Sequence, residues 1–174
     1  MTILAIDPGT DQSGWCIYDK ERGVLGCGVK PNDIMLVEVR HSCADTLAIE
    51  MVASYGMPVG REVFETVLWI GRFQQVWRRP EDVLLVYRRD VKLHHCGSAK
   101  AKDANIRQAL LDRFPRTGGG KTPQIGTKAM PGPLYGVSTH AWSALAVAML
   151  VADQSQARRR IRPSEPVTYS PQVI

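Results

Sequence analysis

Two short apolar runs, Ile3–Asp7 and Thr46–Glu50, each end in a carboxylate, and this pattern constrains the fold more than any other feature of the chain. Such a run is too short for a helix and reads as a buried strand. An ionised acid at its end must reach solvent, a partner or a cation, because burial without one costs several kcal/mol. Between the two runs lie Gly14–Tyr18, rich in aromatic and β-branched residues, and Val24–Val29, joined by the turn-rich links PGTDQS and DKERG. Links of that length and composition make antiparallel hairpins. Residues 33–40, DIMLVEVR, fit either a helix turn or an extended piece.

Beyond Glu50 the period changes. Val63, Phe64, Val67, Leu68, Ile70 and Trp77 recur at helical spacing from Arg61 to Trp77, between Pro58 and Pro80. Asp82–Tyr87 (DVLLVY) is another buried strand, and Asp103–Phe114 a second helix with Asp103 placed to cap it. Pro115–Pro133 is rich in Gly, Pro, Lys and Thr without periodicity and reads as a mobile loop. Thr139–Asp153 is small and apolar, a helix suited to lie flat on a sheet. Three hairpin-linked strands followed by alternating strands and helices predict an α/β fold with a mixed five-stranded sheet, three antiparallel strands and then parallel ones, flanked by helices. The expected organisation is one domain over residues 1–155 and a basic, disordered tail over 156–174.

Composition narrows the class. No apolar run approaches the roughly 18 to 20 residues of a membrane span, and Met1 leads directly into a strand, so no membrane association and a cytoplasmic location, in a bacterial cell or a phage-infected host, are expected. Cys16, Cys27, Cys43 and Cys96 stand singly, which fits reduced thiols, three of them filling core space. Charge is uneven: residues 1–87 carry 8 Lys/Arg against 12 Asp/Glu, whereas residues 88–128 carry 10 against 3. A basic segment of this kind suits a polyanion partner as well as a solvated face.

Asp7 and Glu50 end strands that belong in the middle of the sheet, and one edge of an open α/β sheet is where ligands bind. Each could merely cap a turn. Together they offer the oxygen donors that Mg²⁺ prefers. His140, at the start of the last helix, is the third candidate, and a residue three positions later, Ser143, shares its helix face.

Four motifs in order resemble the RuvC family of Holliday-junction resolvases, in the ribonuclease-H-like superfamily. They are Ala5-Ile6-Asp7-Pro8-Gly9-Thr10 with Ser13-Gly14-Trp15; Ala48-Ile49-Glu50; Asp90-Val91-Lys92 with Lys100-Ala-Lys102-Asp103-Ala104; and Tyr135-Gly-Val-Ser-Thr-His140-Ala-Trp-Ser143. The resemblance spans residues 1 to about 153. It implies a ribonuclease-H-like fold and a homodimer that nicks four-way or branched DNA with Mg²⁺ or Mn²⁺. Two such ions would clamp the scissile phosphate. Asp7 would bridge both, Glu50 would hold one, and His140 would bind the other or position the attacking water. Where the family carries a second acid, this chain has Ser143, a poor Mg²⁺ ligand. That leaves three outcomes: coordination through water, a carboxylate from elsewhere such as Asp103 or Asp11, or a site too weak to cut. An imidazole in the set shifts preference toward Mn²⁺.

Arg88, Arg89, Lys92, Lys100, Lys102 and Arg107 are the candidate DNA contacts, and Tyr55, in the loop after Glu50, is a candidate to stack on an unpaired base. Phe64, Leu68, Trp69 and Phe73 form a second apolar stripe on the long helix, suited to a two-fold interface or to ordinary core packing. Competing readings are a catalytically silent junction-binding module and a nuclease acting on RNA–DNA hybrids or RNA. Three further motifs carry less. Thr117-Gly-Gly-Gly-Lys121-Thr122 has Pro115 where a phosphate-binding loop needs glycine, and it follows a helix rather than a strand. His94-His95-Cys96 and His41-Ser-Cys43 lack partners at structural-zinc spacing.

Overall fold

The hairpin-linked runs form an antiparallel meander of β1 (Thr2–Asp7), β2 (Gln12–Asp19) and β3 (Gly23–Pro31). The structure is a computed structural model that describes residues 1–54, 56 and 58–161, with side chains described as far as Ser155. Tyr55 and the residues from 162 onward lie outside the described residues. β4 (Thr46–Met51) pairs with the free side of β1 in parallel, and β5 (Leu84–Tyr87) pairs with β4 in parallel. The order is therefore β3-β2-β1-β4-β5, the mixed five-stranded sheet expected from the alternation of elements.

Strand alternation sends neighbouring side chains to opposite faces, and each face has its own core. Ile3, Ala5, Cys16, Ala48 and Val86 face α5 (Ala141–Ile161), whose Ala144, Ala148 and Ala152 let the helix lie close to the sheet. Leu4, Ile6, Leu47 and Ile49 face α1 (Asn32–His41) and α2 (Arg61–Val76), meeting Met35, Val39, Ile70 and Phe73. The ambiguous segment 33–40 is thus helical, with Met35 and Val39 one turn apart and both buried. Asn32 ties its start to the first hairpin: Ser13 Oγ donates to Asn32 Oδ1 (2.6 Å) and Asn32 Nδ2 donates to Gly9 O (2.9 Å). These bonds fix the turn that follows Asp7.

Several elements differ from expectation. Arg88–Cys96 forms a helix, α3, that was not foreseen; only Val91 is buried on it, so it has almost no apolar period to read. Asp103 does not cap α4 (Asp103–Leu111) but is its first helical residue, and the cap interaction is Asn105 Oδ1 accepting from the Lys102 amide (2.9 Å). That helix stops at Leu111, three residues short of Phe114. Pro115–Pro133 contains no helix or strand, as expected, yet it is knitted rather than loose. Gly118 N donates to Pro123 O (2.8 Å), Gly132 N to Ile125 O (2.9 Å) and Leu134 N to Gln124 O (2.8 Å). Gly126 there has φ +77°, and an added Cβ would lie 2.3 Å from the Gly132 nitrogen. α5 runs to Ile161, past residue 155. Among the described residues no helix is long and apolar enough to cross a membrane. Cys16 is buried, Cys27 and Cys96 pack against the same core, and Cys43 is exposed.

Candidate active site

The register that pairs Ile6 with Ile49 leaves Asp7 and Glu50 each one residue further on, at the same edge of two adjacent parallel strands. Ala5 and Ala48 belong to the α5-side core, so by alternation Asp7 and Glu50 both point to the α5 side of the sheet. His140 arrives there from the turn just before α5, its Nδ1 3.1 Å from Asp7 Oδ2. That turn is held tightly. Thr139 has φ +42°, a left-handed conformation costing a non-glycine residue about 1–2 kcal/mol. A Cβ at Gly14 would come within 2.5 Å of the His140 carbonyl, so only glycine on β2 lets this segment approach.

Burial dominates the electrostatics. It pushes the Asp7 carboxyl above its ordinary value, against the opposing pull of His140, Arg88 and the Ser143 hydroxyl. Glu50 is raised to about 7, first by burial and then by repulsion from Asp7; Arg88 acts against both, and Asp103 adds to them. Arg88, the first residue of α3, sits between two acids: Nη1 donates to Glu50 Oε2 (3.3 Å) and Nη2 to Asp103 Oδ1 (2.5 Å). Two open cavities flank the cluster and share His140 as a wall. One, of about 660 Å³, is lined by Arg88, Asp103, Arg107, Trp142 and Ser143; the other, of about 650 Å³, by Thr10, Asp11, Glu62 and Thr66.

Asp7, Glu50, His140 and Ser143 therefore gather at one end of the sheet. Of the two acids expected as substitutes for the missing carboxylate, Asp103 is coupled to Glu50 through Arg88, while Asp11 lines the other cavity and accepts from Thr10 Oγ1 (3.1 Å). Arg88, a candidate DNA contact, is half-buried and engaged by Glu50 within the cluster. Arg107 stands with its guanidinium carbon 4.9 Å from the Trp142 ring centroid and lines the same cavity as Ser143. Arg89, Lys100 and Lys102 are exposed and Lys92 half-buried, and none of the four lines either cavity. Trp142 and Gly14 were not foreseen as site residues. Trp142 could have been found from its place beside Ser143, whereas nothing in the sequence says that Gly14 meets His140.

A divalent cation suits this donor set in kind. Two crowded carboxylates, both disfavoured in their charged forms, are relieved by a hard cation that takes oxygen ligands. As arranged, however, no three His, Cys, Asp or Glu side chains among the described residues are gathered to hold a metal ion. His140 lies on Asp7, and Glu50 is engaged by Arg88. The histidines 94 and 95 are used elsewhere: His94 Nε2 lies 2.9 Å from Asp153 Oδ2 and His95 Nε2 2.9 Å from Ala146 O.

A mixed sheet of this order with acids at the ends of its first and fourth strands is the ribonuclease-H-like fold. Solved structures agree. Thermus thermophilus RuvC superposes with a TM-score of 0.62 at 15% identity, covering 91% of this chain and 97% of that one. The T. thermophilus RuvC structure in complex with a Holliday junction substrate gives 0.60 at 16% identity, with coverage of 91% and 96%. The chain thus has the fold of RuvC over nearly its whole length. No protein-family model matches the sequence, and no curated protein matches it.

Proposed function

We propose that this chain is a divalent-metal-dependent endonuclease that cuts four-way or otherwise branched DNA. The observation that carries the reading is the convergence of Asp7 and Glu50, on adjacent parallel strands, with His140 beside a cavity that Arg88 and Arg107 line. Asp7 and Glu50 would hold Mg²⁺ or Mn²⁺, with His140 as a third ligand or as the group orienting water. The ion, when bound, activates water and stabilises the leaving 3′-oxygen. The protein's own part is to keep both carboxylates in place on rigid strands. His140 hydrogen-bonds Asp7 and faces both cavities, and in this reading it handles a proton at the entering oxygen. Arg107 contacts a phosphate at the mouth of the cavity, and Trp142 offers an apolar wall beneath it.

The junction itself is a two-fold object, and cutting it symmetrically calls for two copies. Phe64 (62% exposed) and Leu68 (63%) lie one turn apart on α2 with Val67 beside them, the apolar face a second copy of the chain would cover. Of the stripe expected there, Phe73 is fully buried and Trp69 packs on the core, so only its outer part is free for a partner.

The test is a labelled four-way junction, a linear duplex and an RNA–DNA hybrid, each incubated with protein and Mg²⁺ or Mn²⁺. Paired nicks confined to the junction are expected, and they vanish in Asp7→Asn and Glu50→Gln while gel-shift binding persists. Binding without cutting under every condition would instead make this a silent junction-binding module. Ser143 and the Arg88–Glu50 contact are the features that favour that second reading. Cutting of the hybrid alone would move the substrate to RNA–DNA.

A further inference from the structure

Arg88 stands among three acids: its guanidinium contacts Glu50 and Asp103, and the charge of Asp7 acts on it as well. Arg88 gives one nitrogen to Glu50 and another to Asp103, and its side chain keeps 23% exposure against 12% for Glu50. The side chain therefore reaches from the buried carboxylate out to the cavity that also holds Arg107, His140 and Ser143. A guanidinium carries five N–H donors, so two single contacts leave others for a third acceptor. A phosphodiester in that cavity offers two oxygens in the fork geometry that arginine matches best. It competes for Arg88 on better terms than two carboxylates that each take one donor.

We propose that Arg88 is a substrate-operated latch, closed on Glu50 and Asp103 in the absence of DNA and drawn onto a backbone phosphate when DNA enters, which frees Glu50 to coordinate a divalent cation. The inference rests on the reading of Asp7 and Glu50 as a cation centre. The position of the latch follows from the topology. Val86 is the register partner of Glu50, and Arg88 lies two residues beyond it, where β5 turns into α3. Once the guanidinium leaves, Glu50 loses its ion-pair partner beside the buried Asp7, which keeps only His140, and a cation binds to relieve the two acids. Cation and DNA consequently bind with positive coupling, and linkage makes the effect equal in both directions. The free protein is kept from loading metal, and so from random nicking, until a backbone lies in the groove.

Calorimetric titration of Ca²⁺ tests this without relying on turnover. Ca²⁺ takes the same oxygen donors, and a denaturing gel run afterwards verifies that the junction strands are intact. The wild-type protein is expected to bind Ca²⁺ at least about fivefold more tightly when saturated with a four-way junction than alone, the lower end of ordinary coupling. In Arg88→Gln, the free protein should bind Ca²⁺ at least about fivefold more tightly than the free wild type, and the gain from DNA should shrink to less than about twofold. Arg88→Lys, which keeps the charge but not the fork, should retain part of the coupling, and melting curves of both variants report that they are folded. Equal Ca²⁺ affinity in wild type with and without DNA, while the junction is still cut in Mg²⁺, overturns the latch and leaves the nuclease reading intact. Full coupling persisting in a folded Arg88→Gln also overturns it, since the phosphate alone would then recruit the cation. Absence of cation binding in every protein, with or without DNA, sinks the nuclease reading and the latch together.

Discussion

Glu50 is where the demands of the fold and of the chemistry pull apart. Its strand position buries it, and burial with the neighbouring Asp7 charge raises its carboxyl to about 7 against the opposing pull of Arg88. A folded-state value above the unfolded one means that the folded chain binds more protons between about pH 4.5 and 7, so stability falls as pH rises through that window. The shift corresponds to at most about 3 kcal/mol above pH 7. Metal-free melting temperatures measured from pH 4.5 to 8 should therefore decline more steeply in wild type than in Glu50→Gln, and Mg²⁺ should restore most of the difference at pH 8. Taking the difference matters because His95, held below its ordinary value chiefly by burial, works in the opposite direction near neutrality. Asp19 and Asp153 are lowered to about 2 and further still, and they act only at more acid pH. Identical pH slopes in the two proteins would show that Glu50 is ionised and compensated throughout.

Ser143 poses the complementary question at the same scale. Its hydroxyl bears on Asp7, and it lines the cavity beside His140. Ser143→Asp is expected to leave single-turnover junction cleavage unchanged or to raise it; complete loss would give the hydroxyl a role of its own. Asp7, Glu50 and His140 could be singled out in the sequence only together: either acid alone could simply cap a turn, but two acids ending buried strands, with a histidine heading an apolar helix, make a combined candidate site. The partnership of Arg88 with Glu50 was not legible there. It depends on β5 lying next to β4, which no local pattern records.

Among the elements, α2 and α3 show what periodicity can and cannot report. The apolar residues of α2 were plain, but two stripes of similar strength compete on it, and only packing decides that Ile70 and Phe73 turn inward while Phe64 and Leu68 stay outside. α3 is nearly all polar and buries Val91 alone, so its helical state comes from the strand before it and the Gly97 cap after it rather than from an amphipathic pattern. If α2 carries the dimer contact, Phe64→Glu with Leu68→Glu should yield a monomer by analytical ultracentrifugation. Substitutions at such exposed positions should change intrinsic stability by less than about 1 kcal/mol. A double variant that sediments like the wild type removes this face from the interface.

For the whole molecule, the order of elements fixed the sheet, because three hairpin-joined strands followed by crossovers leave few arrangements, whereas the distribution of charge was only half readable. Residues 88–128 carry a net positive charge by count. In the fold that charge divides. Arg113 is committed to Asp153 (2.8 Å), together with Lys20 and His94, and lines a different cavity with Tyr18 and Phe114. Arg107 lines the cavity it shares with Arg88, His140 and Ser143. Each phosphate neutralised adds about 0.9 to the slope of log K against log salt on duplex DNA. Junction affinity followed by fluorescence anisotropy from about 50 to 200 mM salt should therefore show a slope smaller by about 1 in Arg107→Ala. Arg113→Ala should keep the wild-type slope and lose thermal stability instead, since it strips a partner from Asp153. Equal reductions of slope in both variants would mean that the junction is held by the segment's diffuse charge, and would detach the DNA path from the site at Asp7 and Glu50.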